Sequence, residues 1–257
     1  MKIVIATCGT RGDIQPLMAL ARALSHRGHE TLIAAPPEHK AWVKNSGCAF
    51  RTLGSDFTAM LSGYTRVHTL KPLVGFLGFL RLEIRKQLSR LPAIIEGADL
   101  VLGASLCLGL HTVAEIRGIP YGFVAMAPQI LPSAHHPFVA LPFQNLPPLL
   151  NRLSWEMARK LDRLNFTALI NKERRHLNLP PVRDIVRHLI GRHVIVAADS
   201  AIAEVPLDVE VDLSRPAIYT FRPIRSLPRG WKRFWQKGRH PFTSDLAACL
   251  PGRRKTW

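Results

Sequence analysis

The first 24 residues constrain this chain more than any other stretch. An apolar run, Ile3-Val4-Ile5-Ala6, leads into Cys8-Gly9-Thr10-Arg11-Gly12-Asp13-Ile14-Gln15-Pro16, and Leu17, Leu20, Ala21 and Leu24 follow at helical spacing. A short apolar run bounded by glycine is the pattern of a strand covered on both faces, as in a parallel sheet. The spacing that follows marks a helix with one buried face, and Gly28 ends it. Unpaired N–H groups at such a helix start, together with the macrodipole, form a site for negative charge. Asp13 sets a carboxylate beside that site, so the turn can bring a phosphate-bearing substrate to a base. On spacing alone Asp13 serves equally well as a helix cap, and Thr10 and Arg11 serve equally well as plain turn residues.

The alternation continues. Thr31–Ala35 reads as a second strand, stopped by Pro36-Pro37, and Glu38–Asn45 as a short helix. Phe50–Leu53 is a third strand. A longer helix covers Pro72–Leu91, with Pro92 marking its end. Asp99–Gly103 is a fourth strand, Leu108–Arg117 a helix and Tyr121–Ala125 a fifth strand. Strands separated by helices predict an α/β fold, a Rossmann-like doubly wound parallel sheet. From Pro128 to Leu150 proline is frequent and periodicity is lost, which predicts a long loop of functional type. Leu153, Met157, Leu161 and Leu164 then mark a helix with a basic outer face. The cations Arg159, Lys160, Arg163, Lys172, Arg174 and Arg175 read as a solvated surface with weak attraction for anionic lipid. His193–Ala198 is a further strand. The apolar run Leu73–Leu82 is expected to pack in the core.

With 257 residues, 47% of them hydrophobic, the chain can build one large core or two small domains. Cys8, Cys48, Cys107 and Cys249 are scattered without a C-x-x-C pair, the usage of reduced thiols in a cytoplasmic protein. The opening strand is too short for a signal-peptide core, and no run approaches the roughly 20 apolar residues of a spanning helix. A net charge of +17 invites a nucleic-acid reading. Ten Lys/Arg against one Asp in Phe221–Trp257 supply +9 of it. With that tail set aside no nucleic-acid module is visible. A dinucleotide-dependent oxidoreductase is also disfavoured. The turn is G-x-x-G, not G-x-G-x-x-G, and the second strand ends in Ala35-Pro36 where an acidic ribose ligand would stand.

The stretch Gly9–Pro16 after the first strand resembles the opening of GT-B glycosyltransferases, in the branch of sterol and antibiotic-aglycone glycosyltransferases with a family 28-type N-terminal domain. Three further segments carry the resemblance. These are Ala34-Ala35-Pro36-Pro37, Ala98–Gly103, and the loop from Pro128-Gln129 through His135-His136-Pro137-Phe138 to Leu141-Pro142. It covers residues 1–220, the N-terminal half of a GT-B fold. It implies inverting transfer of a hexose from a nucleotide donor, UDP-sugar above all, to the hydroxyl of a lipophilic acceptor, without metal or other cofactor. Asp13 corresponds to the base that deprotonates the acceptor, a useful service because an alcohol is a poor nucleophile. Gly9, Thr10, Arg11 and Gly12 correspond to a loop beside the donor phosphates. His135, His136, Pro137 and Phe138 correspond to the acceptor side. The expected setting is cytoplasmic, with a weak peripheral membrane contact.

The family pattern continues after residue 220 into a nucleotide-binding domain, whereas residues 221–257 hold three of the five tryptophans and no periodicity. Joining the last base of each codon to the first two of the next forces Glu at Trp231-Lys232, Leu at Phe234-Trp235 and Ala at Trp235-Gln236. The shifted reading of His240–Gly252 permits Pro-Ile-Tyr-Ile-Gly-Phe-Gly-Ser-Met-Pro-Ala-Gly, which resembles the opening strand of that domain. The expectation is a basic tail read out of frame, a missing C-terminal domain and no transfer by this chain alone. The other reading is a non-catalytic acceptor-binding half, or the partner subunit of a split glycosyltransferase.

Overall fold

A computed structural model describes residues 1–62, 71–141, 146–198 and 203–214. The tail 221–257, Pro142 and the side chains of Leu73 and Val74 lie outside the described residues.

Seven strands form one sheet: β1 (Lys2–Cys8), β2 (Glu30–Ala35), β3 (Ala49–Thr52), β4 (Leu100–Ser105), β5 (Tyr121–Ala125), β6 (His193–Val196) and β7 (Asp212–Ser214). Their spatial order is β3-β2-β1-β4-β5-β6-β7. Every pairing is parallel. The order runs outward from β1 in both directions, so the chain reverses its winding between β1 and β4. This is the doubly wound arrangement expected from the alternation, with β7 as an addition. Three residues, Asp-Leu-Ser, are too short and too polar to announce a strand.

The helices are α1 (Arg11–His26), α2 (Lys40–Asn45), α3 (Phe57–Ser62), α4 (Lys71–Ile94), α5 (Leu110–Arg117), α6 (Pro148–Asp162), α7 (Phe166–His176) and α8 (Ile185–Ile190). Side chains alternate along β1, giving the sheet two cores. Val4, Ala6 and Cys8 join a cluster with Ile84 and Leu91 of α4, Leu110 and Val113 of α5, Ile170 of α7 and Leu189 of α8. Ile3 and Ile5 join the opposite cluster with Ile14, Leu17 and Ala21 of α1 and Val43 of α2. Each fully buried Leu or Ile stabilises the fold by about 1.5–3 kcal/mol, so both faces of β1 hold the sheet.

Several boundaries and faces differ from expectation. The helix over Glu38–Asn45 divides into a 3-10 turn, Pro37–His39, and α2. Pro92 does not end α4, which runs two residues further. Proline there removes only one hydrogen bond in the last turn, and Leu91 and Ile95 anchor that turn in the core. Within the apolar run of α4, Leu80 is buried and Leu82 is exposed. Arg174 was expected on a solvated face. It is buried, with its guanidinium on Glu115 at 2.6 and 3.1 Å. The apolar stripe of α6 is exposed: Leu153, Met157 and Leu161 face outward, as does Leu164 in the turn after the helix, while Asn151, Ser154 and Trp155 are buried. Cys8, Cys48 and Cys107 are buried free thiols.

Candidate active site

In a doubly wound sheet the crevice for ligands opens at the carboxyl ends of the strands, where the winding reverses. That point lies between β1 and β4, whose last residues, Cys8 and Ser105, are register partners. Asp13 sits there, half-buried in the first turn of α1. One carboxylate oxygen, Oδ2, accepts from the Thr10 N–H at 2.7 Å and the Thr10 hydroxyl at 3.2 Å. The other, Oδ1, accepts from the Ser105 hydroxyl at 2.5 Å. The carboxylate therefore bridges the two strands at the switch point.

The expected loop residues gather around it, in distinct roles. Gly9 is buried, and a side chain there would overlap the Asp13 carboxylate. Gly12 is exposed, and a Cβ there would meet only the Thr10 hydroxyl, at 3.9 Å. The Arg11 guanidinium lies over the Trp42 ring of α2, 4.9 Å from its centroid. This cation–π contact holds the side chain beside the turn. His39 is buried behind Gly9, its Nε2 3.3 Å from the Gly9 carbonyl oxygen. Because Asp13 takes the Thr10 amide, one of the helix-start donors is already satisfied within the chain.

Ser105 carries a further mark. Its φ is +52°, one of two positive values among the described non-glycine residues. A non-glycine residue held there stores about 1–3 kcal/mol and persists only where its surroundings fix it. They do so here. Leu106 N–H donates to the Cys8 carbonyl at 3.3 Å. The buried Gln87 of α4 donates to the Leu106 carbonyl at 3.0 Å and accepts from the Gly109 N–H at 2.9 Å. Sequence reading missed Ser105, Gln87 and Trp42. Only the position of Ser105 at the end of a strand beside β1 could have signalled it.

The residues expected on the acceptor side form a second group, built on α6. Trp155 Nε1–H donates to the His136 carbonyl at 3.1 Å. The His136 and Phe138 rings meet the Trp155 ring edge-on, with centroids 5.9 and 5.2 Å apart. Pro137 is buried. His135 is exposed, and its Nε2 lies 4.0 Å from Asp208. Asp208 also accepts from the Ser133 hydroxyl at 2.6 Å and the Ala134 N–H at 2.7 Å. Burial is the largest single influence on its carboxyl and pushes it up, but the bonds from the Ala134 N–H and the Ser133 hydroxyl, with the charge of His135, together outweigh it and hold the carboxyl below the usual range. A cavity of about 190 Å³ opens beside this loop, lined in part by Ser133, Arg152, Trp155, Arg159, Asp184 and Asp208. Neither Asp13 nor Ser105 lines it. Among the described residues no hydrogen bond joins the Asp13 group to the His135–Phe138 group.

Residues 3–136 match the glycosyltransferase family 28 N-terminal domain. The chain is 33% identical over 223 residues to Glycosyltransferase GtfE of Amycolatopsis orientalis, covering 82% of this chain and 52% of that one. It is 30% identical over 226 residues to the vancomycin aglycone glucosyltransferase of the same organism, with the same shares covered. The chain thus spans about half the length of the curated relatives it matches. Among solved structures it is similar to the spinosyn forosaminyltransferase SpnP, with a TM-score of 0.58 at 17% identity, covering 91% of this chain and 54% of that one. That likeness extends to the fold.

Proposed function

The chain belongs to the glycosyltransferase family 28 N-terminal domain family, and from that premise we propose that it forms the acceptor-side half of an inverting hexosyltransferase. The donor is a nucleotide sugar, UDP-linked in the first instance, and the acceptor is a hydroxyl on a lipophilic molecule of the aglycone, sterol or lipid class. The observation that carries the reading is the Asp13 carboxylate fixed at the switch point between β1 and β4. A carboxylate held there on both oxygens keeps lone pairs for an incoming hydroxyl. It can take the hydroxyl proton as the oxygen attacks the anomeric carbon, while the nucleotide leaves with the bonding electrons. Gly12 leaves open backbone at the helix start, and Arg11 brings a guanidinium, both suited to the departing phosphates. His135 to Phe138 wall the acceptor. No metal enters this scheme.

The proposal assigns the nucleotide site to the half of the relatives' length that this chain does not span. These 257 residues alone then bind acceptor and transfer negligible sugar. Carbon-13 labelling of aspartate carboxyls, with the Asp13 signal assigned through Asp13→Asn, provides the test. Vancomycin aglycone should move the Asp13 signal, and UDP-glucose alone should leave it in place. An Asp13 signal indifferent to the aglycone, to a sterol and to a long-chain alcohol alike overturns the base assignment. Turnover of UDP-glucose by the chain alone overturns the division into halves.

A further inference from the structure

Asp13 is held from its own helix by Thr10, but its orientation toward the crevice is set from β4, 92 residues away. Three observations converge on Ser105. Its hydroxyl donates to Asp13 Oδ1 at 2.5 Å, and Asp13 is its described side-chain partner. Its backbone occupies the left-handed region at φ +52°, which glycine would take without strain. A serine at such a position is explained by its side chain, not by its backbone. Finally, the loop beyond it is clamped by the buried Gln87, which bonds the Leu106 carbonyl and the Gly109 N–H and lies 3.2 Å from Cys8 Sγ. The strained conformation is thereby fixed by α4 and β1 together.

We propose that Ser105 is a positioning residue for Asp13. Its hydroxyl, presented by the strained end of β4, occupies one lone pair of Oδ1 and turns the remaining one toward the acceptor hydroxyl. The inference rests on Asp13 being the base. Its test reads the carboxyl group without any acceptor, so its failure is distinct from failure of that assignment.

Two substitutions separate positioning from a structural role. Ser105→Gly removes the hydroxyl and relaxes the backbone. Ser105→Thr keeps the hydroxyl and worsens the strain, because a β-branched residue fits φ > 0 poorly. On the full chain with carbon-13 labelled aspartate, Ser105→Gly should shift and broaden the Asp13 carboxyl signal while the thermal midpoint stays the same or rises. Ser105→Thr should keep the wild-type signal while the thermal midpoint falls. Stability and signal thus move in opposite ways. An Asp13 signal in Ser105→Gly that coincides with wild type overturns the proposal, and so does one that shifts only in proportion to lost stability. Where Ser105→Thr does not fold, the Ser105→Gly comparison decides alone.

Discussion

A methyl group added at Gly9 would overlap the Asp13 carboxylate, whereas one added at Gly12 would meet nothing closer than the Thr10 hydroxyl at 3.9 Å. The two glycines of one short motif therefore answer to different constraints. Gly9 makes room for Asp13 to fold back onto the Thr10 amide. Gly12 stands inside α1, where glycine costs about 0.5–1 kcal/mol relative to alanine. Gly9→Ala should destabilise the fold by about 1–3 kcal/mol through overpacking against a carboxylate fixed on both oxygens. Gly12→Ala should stabilise it by about 0.5–1 kcal/mol. Urea denaturation of both variants checks the pair. A stabilising effect at Gly9, or a large loss at Gly12, would show that the turn is built otherwise. The motif made Asp13 legible, because the glycines and the acid lie within five residues and the helix spacing follows directly after them. Ser105 was not legible. Its part in the site depends on a backbone angle and on a neighbour across the sheet, and neither leaves a local pattern.

At the scale of the element, α6 shows what periodicity can and cannot tell. The spacing of Leu153, Met157 and Leu161 correctly marked a helix, with Leu164 falling in the turn after it, but the face it marked is exposed. Period identifies a stripe, not the side on which the protein lies. The reason is the loop before α6, whose backbone groups have no sheet or helix partners and must be paired if buried. Asn151 Nδ2 donates to the Ala134 carbonyl at 2.8 Å, the Phe138 N–H donates to Ser154 Oγ at 2.8 Å, and Trp155 reaches the His136 carbonyl. Polar residues are inside because the loop needs them there. The effects of substitution should then invert the hydropathy pattern. Asn151→Leu, although apolar and buried, should cost about 1–3 kcal/mol by leaving loop carbonyls unpaired. Leu161→Gln, at 68% exposure, should change stability by less than about 0.5 kcal/mol. Chemical denaturation of the two variants distinguishes this arrangement from one with the stripe in the core.

Across the whole molecule, the doubly wound sheet was legible because each βα unit announced itself by local spacing. The clamp on its far half was not, since it draws single residues from four elements. His111 of α5 stacks between Tyr121 of β5 and His188 of α8, with ring centroids 4.3 and 4.4 Å apart. His188 Nε2 lies 2.8 Å from the Thr112 hydroxyl, and Thr112 also receives Arg174 of α7 at 3.4 Å. Tyr121 donates to the Leu189 carbonyl at 2.5 Å. Burial above all, then His111 and Arg174, lowers the His188 pKa from 6.5 to about 3. Burial likewise lowers that of His111. A base whose pKa is depressed by folding is bound by protons more tightly in the unfolded chain. Its stabilisation is therefore complete above pH 6.5 and is lost as the pH falls toward 3. Glu115, held below its usual range by Arg174, adds loss in the same direction, while Asp162, raised by burial, opposes it. His188 dominates because its shift is the largest. Between pH 7.5 and pH 4 the His188 contribution alone amounts to roughly 3 kcal/mol. Urea midpoints measured across that range should fall accordingly, and His188→Gln should flatten the slope between pH 6.5 and 4 while lowering stability at pH 7.5. An unchanged slope in the variant would place the acid sensitivity elsewhere. The pairing of α5, α7 and α8 against β5 would then rest on its apolar contacts, the Arg174–Glu115 pair and the Tyr121 hydrogen bond, not on the neutral state of His188.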